Sequence, residues 1–425
     1  LLSLMGRPFL LPPPRHKQSH ARFGGALGST LAPGIGSAAL LMSPTAPEPG
    51  AGTTLVGASP IRVAVRVRPT DAGQTGNVVL ADGRIGSAIR VQNEELGVSS
   101  GFDFDAVLGP EVEQQEAYEA CGKPVLEAVL EGRRGSVLAY GQSGAGKTYT
   151  MLGADAGPNQ GLVPQIAVEL FRRLTPLNAD LMGLGGKISV TASYFEVVAG
   201  VEHQVNDLLG GAGRAVALPV KSVGEGFEPK GLKGVPVKSS KDLKELIAKG
   251  AEARAAGKNP TARAHTFLTL SLERAAPAGR AADRVQRAFE FFDKDSSGSI
   301  SGKELQKALA ALGMASDWET VQQTMKKYDT SCNGDLELGE FSGLVDELEE
   351  RAARMSSGKL YLVDLAASES FETVNDSGQG KALAPAGDHF GLLALGKVLT
   401  ALAGGRTHVP YREATLTKLL QQALP

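Results

Sequence analysis

One eight-residue stretch constrains this 425-residue chain more than any other: Gly141-Gln142-Ser143-Gly144-Ala145-Gly146-Lys147-Thr148. It fits the pattern G-x-x-x-x-G-K-[ST]. The apolar run Ser136–Tyr140 precedes it and reads as a strand, and the residues after it read as a helix. Glycines in such a loop let backbone N–H groups turn inward around an anion. The helix N-terminus adds partial positive charge at the same point. Lys147 is then placed to reach the β and γ phosphates of a nucleotide, and the Thr148 hydroxyl to ligate Mg²⁺. The competing reading is an ordinary Gly-rich turn, which the strand before it and the Lys-Thr pair argue against.

The surroundings suit an α/β fold. Ile61–Pro69 alternates apolar and basic residues, the period-2 signature of a strand with one buried face. Further strands are expected at 101–107, 136–140, 187–197, 265–273 and 358–364. Helical patterns fall between them at 114–131, 147–152, 163–174 and 240–255. Strands alternating with helices imply a sheet covered on both faces.

The order of motifs adds a resemblance. Ala139–Met151, around the phosphate loop, resembles the corresponding block of kinesin motor domains. Arg66-Val67-Arg68-Pro69 resembles their adenine-contacting R-x-R-P strand. Phe104-Asp105 with Gln114 and Tyr118, and Asn206-Asp207-Leu208-Leu209, follow in the family's order. Leu360–Glu369 resembles switch II, L-x-L-V-D-L-A-G-S-E. His408–Arg412 followed by Leu416–Leu420 resembles the microtubule-facing segment. The resemblance implies a mixed central sheet with helices on both faces. It implies ATP with Mg²⁺ as cofactors and microtubules (tubulin) as partner. Its nucleotide contacts are Arg66, Arg68, Pro69, Gly141, Gln142, Ser143, Gly144, Ala145, Gly146, Lys147, Thr148 and Tyr149. Thr148 and Asp364 are its Mg²⁺ residues. Lys147, Arg263, Asp364 and Glu369 are its catalytic residues, with an Arg263–Glu369 ion pair closing the site.

Both switches depart from the family pattern. Aligned on His265, switch I reads Lys258–His265, with Ala262 and Ala264 where the family carries hydroxyls. Ala367 stands where switch II has glycine. Alanine keeps the N–H but loses easy access to positive φ. Losing one positioned donor to a transition state costs about 3 kcal/mol, roughly a hundredfold in rate. Two readings follow: an ATP-hydrolysing motor, or a hydrolysis-impaired nucleotide-binding calcium sensor or adaptor that binds microtubules or other partners.

A second module interrupts the alternation. Residues 281–354 are helical in pattern and carry 15 acidic and 9 basic residues, a net −6, against +4 for the rest. Asp293, Asp295, Ser297, Ser299, Ser301 and Glu304 stand at positions 1, 3, 5, 7, 9 and 12 of one calcium loop, with Gly298 at position 6. Asp329, Ser331, Asn333, Asp335, Glu337 and Glu340 do so in a second loop starting 36 residues later. Ser297 and Ser331 depart from the strict pattern but still offer oxygen. Two loops at this spacing describe an EF-hand pair binding Ca²⁺, with Ile300 and Leu336 bridging.

The expected organisation is therefore fourfold. Residues 1–60, Gly-, Ala- and Pro-rich with no acid before Glu48, read as a disordered extension. An organelle transit segment is the alternative, given Arg7, Arg15, Lys17 and Arg22. Residues 61–274 and 358–425 read as two parts of the motor domain, the second stopping short of the family's last strand and helix. Residues 281–354 read as the inserted calcium pair. Hydrophobic content of 42% excludes a wholly disordered chain. The overall charge of −2 gives no global argument for nucleic acid or membrane. No apolar run reaches membrane-spanning length. Two cysteines, Cys121 and Cys332, cannot make a disulfide framework and suit a reducing compartment. The expected location is the cytoplasm, on the microtubule cytoskeleton. Direction of movement, cargo and oligomeric state have no sequence signal.

Overall fold

The computed structural model describes residues 37–44, 61–69, 77–81, 83–93, 98–178, 188–199, 204–211, 215–224, 226–256, 263–274, 281–311, 316–355, 357–368 and 390–424. The first half contains β1 (Ser37–Pro44), β2 (Arg62–Val67), β3 (Asn77–Ala81), β4 (Ile85–Asn93) and β5 (Val98–Leu108). Helices α1 (Gln114–Ala117) and α2 (Lys123–Leu130) follow, then β6 (Arg134–Tyr140), α3 (Lys147–Met151) and α4 (Leu162–Asn178). Next come β7 (Ile188–Val198), β8 (Val205–Asp207), β9 (Val216–Leu218), β10 (Val220–Val223), β11 (Gly226–Pro229), β12 (Val235–Val237) and α5 (Ser240–Ala255). Strand β13 (Ala264–Arg274) leads into α6 (Ala281–Phe292), β14 (Ser299–Ser301), α7 (Gly302–Ala311), α8 (Trp318–Tyr328), β15 (Asp335–Glu337) and α9 (Leu338–Met355). The chain then returns through β16 (Lys359–Asp364), α10 (Phe390–Ala403) and α11 (Thr415–Leu420).

Twelve strands make one mixed sheet in the order β3-β4-β5-β2-β1-β6-β16-β13-β7-β8-β9, with β12 also pairing β7. Its central strands are apolar on both faces, as burial under two layers requires. Val137 and Ala139 of β6 and Leu360 and Leu362 of β16 face a core built with Leu126 of α2, Ile166 and Leu170 of α4, and Leu243 of α5. The alternate residues Leu138, Tyr361 and Val363 face the other core, with Leu395 and Val398 of α10 and Leu420 of α11. Phe195 and Phe267 stack in that second core at 4.9 Å. Between α1 and α2 the helix widens into a π-helical turn, Tyr118–Gly122. Gly122 fits there because a Cβ would stand 2.8 Å from the Tyr118 ring.

Within the segment expected to be disordered, Ser37–Pro44 is instead a strand in the middle of the sheet. It pairs antiparallel with β2 from Ser37↔Val67 to Met42↔Arg62. It pairs antiparallel with β6 from Ala39↔Tyr140 to Pro44↔Gly135. Ladder groups of β2 and β6 need partners in a buried sheet. That demand outweighs the low-complexity flanks, whose composition hid the short apolar run. The rest of residues 1–60 lies outside the described residues.

The calcium-module helices α6 to α9 enclose a separate core of Phe289, Phe292, Leu305, Val321, Phe341 and Val345. Phe289 and Phe292 each meet Phe341 edge to face. Ile300 and Leu336 pair across the β14–β15 bridge. The module rests on the sheet body, α7 against α4 and α9 against α2 and β13. Among the described residues no helix is long and apolar enough to cross a membrane.

Candidate nucleotide and calcium sites

Parallel strands β6 and β16 end at the same edge of the sheet, with Asp364 beside Ala139. Ligands bind at such carboxyl edges because loops there are free to converge. The loop after β6 turns at Gly144 (φ 74°) and at Gly146 (φ 90°), which precedes α3. Side chains rarely adopt that left-handed backbone, so glycine is the residue the turn requires. The Lys147 ammonium folds over the loop and donates to the carbonyls of Gly141 and Gln142, each at 2.8 Å. Thr148 Oγ1 donates to Asp364 Oδ2 at 2.7 Å. Asp364 Oδ1 is buried and, among the described residues, meets no hydrogen-bond donor. Burial raises the Asp364 pKa, opposed by the Thr148 hydroxyl and the charges of Lys147 and Arg254. A buried carboxylate oxygen without a partner is costly, and beside a threonine hydroxyl it suits a hard divalent cation with oxygen ligands. The donor set therefore fits Mg²⁺ at Thr148 and Asp364, and the loop fits a polyphosphate.

A cleft of about 500 Å³ opens beside this pair, lined in part by Thr148, Tyr194, Arg254, Thr266 and Asp364. Arg254, near the end of α5, pairs with Glu196 of β7 at 3.0 Å. Glu196 also accepts from Asn206 Nδ2 at 2.9 Å. This pair, a buried Glu196 with a half-buried Arg254, was not legible in the sequence, because its members are far apart and belong to no motif.

The expected base-contacting residues Arg66, Arg68 and Pro69, and the nucleotide contact Tyr149, separate into two groups. Arg66 turns inward: its guanidinium donates to Gln114 Oε1 at 2.8 Å, Thr150 Oγ1 at 3.3 Å and the Val112 carbonyl at 3.0 Å. Burial lowers its pKa. Arg66 thus braces β2 against α1 and α3. Arg68 stays at the rim and donates to the Gly144 carbonyl at 2.9 Å. Pro69 is exposed beside it. The Tyr149 ring is 49% exposed, with the Arg66 guanidinium 5.5 Å from its centroid.

After Asp364 the chain is tied to the phosphate loop. Leu365 N–H donates to the Ala139 carbonyl and Ser368 N–H to the Gly141 carbonyl, each at 3.1 Å. Between them Ala366 N–H donates to His265 Nδ1 at 3.0 Å. His265 is 2% exposed, and burial pushes its pKa down to about 4. The expected difficulty at Ala367 does not arise in this conformation: among described non-glycine residues only Ser296 and Cys332 have positive φ. Ala264 is buried at the start of β13, opposite Val198. Arg263 is exposed, and its carbonyl accepts from Ala199 N–H at 2.8 Å. Glu369 and Ala262 lie outside the described residues, and with them the expected Arg263–Glu369 pair.

Both calcium loops are wound inward. In the first, Asp293 accepts from Ser297 N–H at 2.8 Å and from Gly298 N–H at 2.9 Å. Glu304 accepts from Lys294 N–H at 2.8 Å and Ser301 N–H at 3.0 Å. Ligand oxygens of Asp293, Asp295 and Glu304 lie within 4.8 Å of one another. Ser297 Oγ donates to the Ser299 carbonyl at 3.0 Å and Ser301 Oγ to Glu304 Oε2 at 2.8 Å, so both hydroxyls lie in the ring. In the second loop Asp329 accepts from Gly334 N–H at 2.9 Å and from Ser331 Oγ at 3.1 Å. Asn333 Oδ1 accepts from Asp335 N–H at 2.9 Å, and its Nδ2 donates to Glu337 Oε1 at 3.4 Å. Glu340 accepts from Ser331 N–H at 2.8 Å and Glu337 N–H at 3.0 Å. Those backbone donors hold its pKa down at about 2. Ser299 Oγ donates to Asp335 Oδ2 at 3.2 Å, tying one loop to the other. The converging carboxylate oxygens of the first loop are what a calcium ion takes.

A phosphate loop at the edge of a mixed sheet, an aspartate facing its threonine, and an oxygen-lined helix pair define the class: a P-loop nucleotide-binding α/β protein carrying an EF-hand insert. The family model for the kinesin motor domain matches residues 66–308 and 343–425, and that for an EF-hand domain pair matches residues 282–345. The chain belongs to the kinesin motor-domain family. It is 28% identical to kinesin-like protein KIN-UB of Oryza sativa subsp. japonica, covering 86% of this chain and 35% of that protein. It is 28% identical to kinesin-like protein KIF22 of Mus musculus, covering 86% and 44%. A structure described as that of a fast kinesin aligns with a TM-score of 0.54 at 24% identity, covering 85% of this chain and 80% of that one, a likeness of fold. The chain spans less than half the length of these two curated relatives.

Proposed function

We propose that this chain binds ATP with Mg²⁺, hydrolyses it and couples the cycle to microtubule attachment, with Ca²⁺ in the EF-hand pair controlling the coupling. The observation that carries the reading is the Thr148–Asp364 hydrogen bond of 2.7 Å beside an intact phosphate loop, with Asp364 Oδ1 left unmet among the described residues. Bound Mg²⁺ would neutralise charge developing on the phosphates. Lys147 would leave its two carbonyls to meet the nucleotide. Arg68 and Tyr149 at the rim would hold the base. Arg412 and Lys418 support attachment to an acidic filament, since both lie over the Phe227 ring at 5.9 Å, their cationic heads gathered at one place.

Calcium control draws on continuity of the chain. Glu340, the last ligand of the second loop, stands at the start of α9, and α9 leads after two residues and Gly358 into β16, which ends at Asp364. A shift of α9 on calcium binding is thereby passed along a helix and a strand to the Mg²⁺ residue. A cytoplasmic, cytoskeleton-associated location follows from the same reading.

A second reading, a slow-hydrolysing calcium sensor or adaptor, is favoured by the absent hydroxyl at Ala264. ATP turnover with and without microtubules, each with and without Ca²⁺, tests both. Microtubule-stimulated turnover that changes with Ca²⁺ supports the first. Tight nucleotide binding without turnover supports the second, and equal rates with Ca²⁺ and with chelator reject calcium control.

A further inference from the structure

Strand β1 lies where two halves of the nucleotide site meet. Its six pairs with β2 run from Ser37↔Val67 to Met42↔Arg62, and its six with β6 from Ala39↔Tyr140 to Pro44↔Gly135. The far edge of β2 is taken by β5, and that of β6 by β16. Among the described strands, β1 alone therefore joins the strand that leads to the base rim, Arg68 and Pro69, to the strand that leads to the phosphate loop. The walls of its slot are shut off from water: Ala64 of β2 and Val137, Leu138 and Ala139 of β6 are each 0% exposed. The motor-domain family model begins at residue 66, so β1 lies outside the matched residues. The pair Met42↔Arg62 puts the end of β1 beside the start of β2. Hairpins make that step in about two to five residues, whereas residues 45–61 make it here.

We propose that the slot between β2 and β6 is a strand-acceptor site, filled by the chain's own Ser37–Pro44 as a tethered peptide, and that this filling sets the spacing of the base rim and the phosphate loop. The second half rests on the proposed nucleotide binding; the first does not. Buried ladder N–H and C=O groups must have partners, and with water excluded an extended segment supplies them to both strands at once. Strand addition is a general way to bind an extended peptide, the main-chain bonds giving the affinity. A tether holds such a segment at an effective concentration on the order of millimolar, so the connection through 45–61 favours the chain's own strand over that of a second copy. The register then fixes β2 against β6. Ala39 is paired with Val65 on one side and, on the other, with Tyr140, the last residue before the phosphate loop. Across that gap Arg68 meets the Gly144 carbonyl at 2.9 Å.

Three measurements on the full chain test this. In hydrogen exchange, the amides of 37–44 should be protected to within about tenfold of those of 135–140, as members of one cooperative sheet are; exchange at the rate of a free peptide overturns the proposal. In the second, a protease site is inserted between Gly50 and Ala51 and cut after folding. A labelled peptide of residues 36–45 should then enter the cut chain, one per chain, and not the uncut one. The same peptide with Ala39→Pro and Leu40→Pro, which lacks two ladder donors, should stay out. Uptake of both peptides, of neither, or by the uncut chain overturns the acceptor site. A chain that is dimeric until cut also overturns the tethered filling, because the slot would then hold a second copy's strand. In the third, the A39P/L40P full chain is titrated with ADP and with inorganic pyrophosphate, each with Mg²⁺. ADP affinity should fall about tenfold and pyrophosphate affinity no more than about twofold, since pyrophosphate needs the phosphate loop alone. Equal losses would mean that the strand merely supports the fold, and overturn the spacing role. The first two measurements need no nucleotide and no variant strand in the chain. An uncut wild-type chain that binds neither ligand sinks the nucleotide reading, whereas a cut chain that refuses the peptide sinks the acceptor site.

Discussion

Replacing Asp364 with asparagine separates what this carboxylate does for the fold from what it does for the metal. Asparagine keeps an oxygen for the 2.7 Å bond from Thr148 and removes a charge. Burial already raises the Asp364 pKa, so the nucleotide-free protein carries that charge against a desolvation penalty. D364N should therefore leave stability in urea unchanged, or raise it by up to about 1 kcal/mol. The metal-bound state behaves oppositely. Asp364 Oδ1, buried and unmet among the described residues, would help hold Mg²⁺ through a charge-assisted interaction worth about 1.5–3 kcal/mol. At 1.4 kcal/mol per tenfold, the loss is about 10- to 150-fold in affinity. Titration of a fluorescent ADP in Mg²⁺ should show that fall, while titration in EDTA should show affinities equal within about twofold. A D364N protein that binds Mg²⁺-ADP as tightly as wild type, or loses several kcal/mol without ligand, would refute the assignment.

Gly250, inside α5, tests packing by sign: alanine in a helix interior ordinarily stabilises by about 1 kcal/mol. A Cβ there would stand 2.2 Å from the Tyr194 ring, so G250A should instead destabilise by about 1–3 kcal/mol in urea unfolding. His265 makes the fold sensitive to acid. Its folded pKa of about 4 lies below the ordinary 6.5, so the unfolded chain binds the proton first. Its contribution is complete above pH 6.5 and is lost as pH falls toward 4, about 2 kcal/mol between pH 7 and 5. H265N should flatten that part of the stability–pH curve. Trp318, the single tryptophan, is 50% exposed at the start of α8, and a Cβ at Gly302, two residues before the ligand Glu304, would stand 3.2 Å from its ring. Its emission should change on Ca²⁺ addition, and E304Q with E340Q should abolish the change.

The features legible in the sequence are those whose chemistry is local. The phosphate loop needs a strand, six turn residues and a helix start within a dozen positions. Each calcium loop places its oxygens within twelve. Backbone geometry over so short a span is dictated by glycine, by side-chain oxygens two to four residues away and by period-2 or period-3.6 burial. The strands β2, β5, β6, β7, β13 and β16 were legible for the same reason. Short strands such as β8, β9 and β12, three residues each, carry no period long enough to read.

Tertiary structure decided the rest, because it depends on which distant segments share a sheet. The slot between β2 and β6 turned Ser37–Pro44 from low-complexity tail into central strand. It turned Arg66, in a motif that pointed to the base, toward Gln114 and Val112. It brought Glu196 to Arg254 and Ala366 to His265, pairs separated by 58 and 101 positions. Residue type states what each group is able to bond. Only the packed sheet, where every buried donor must find an acceptor, selects which bond is made.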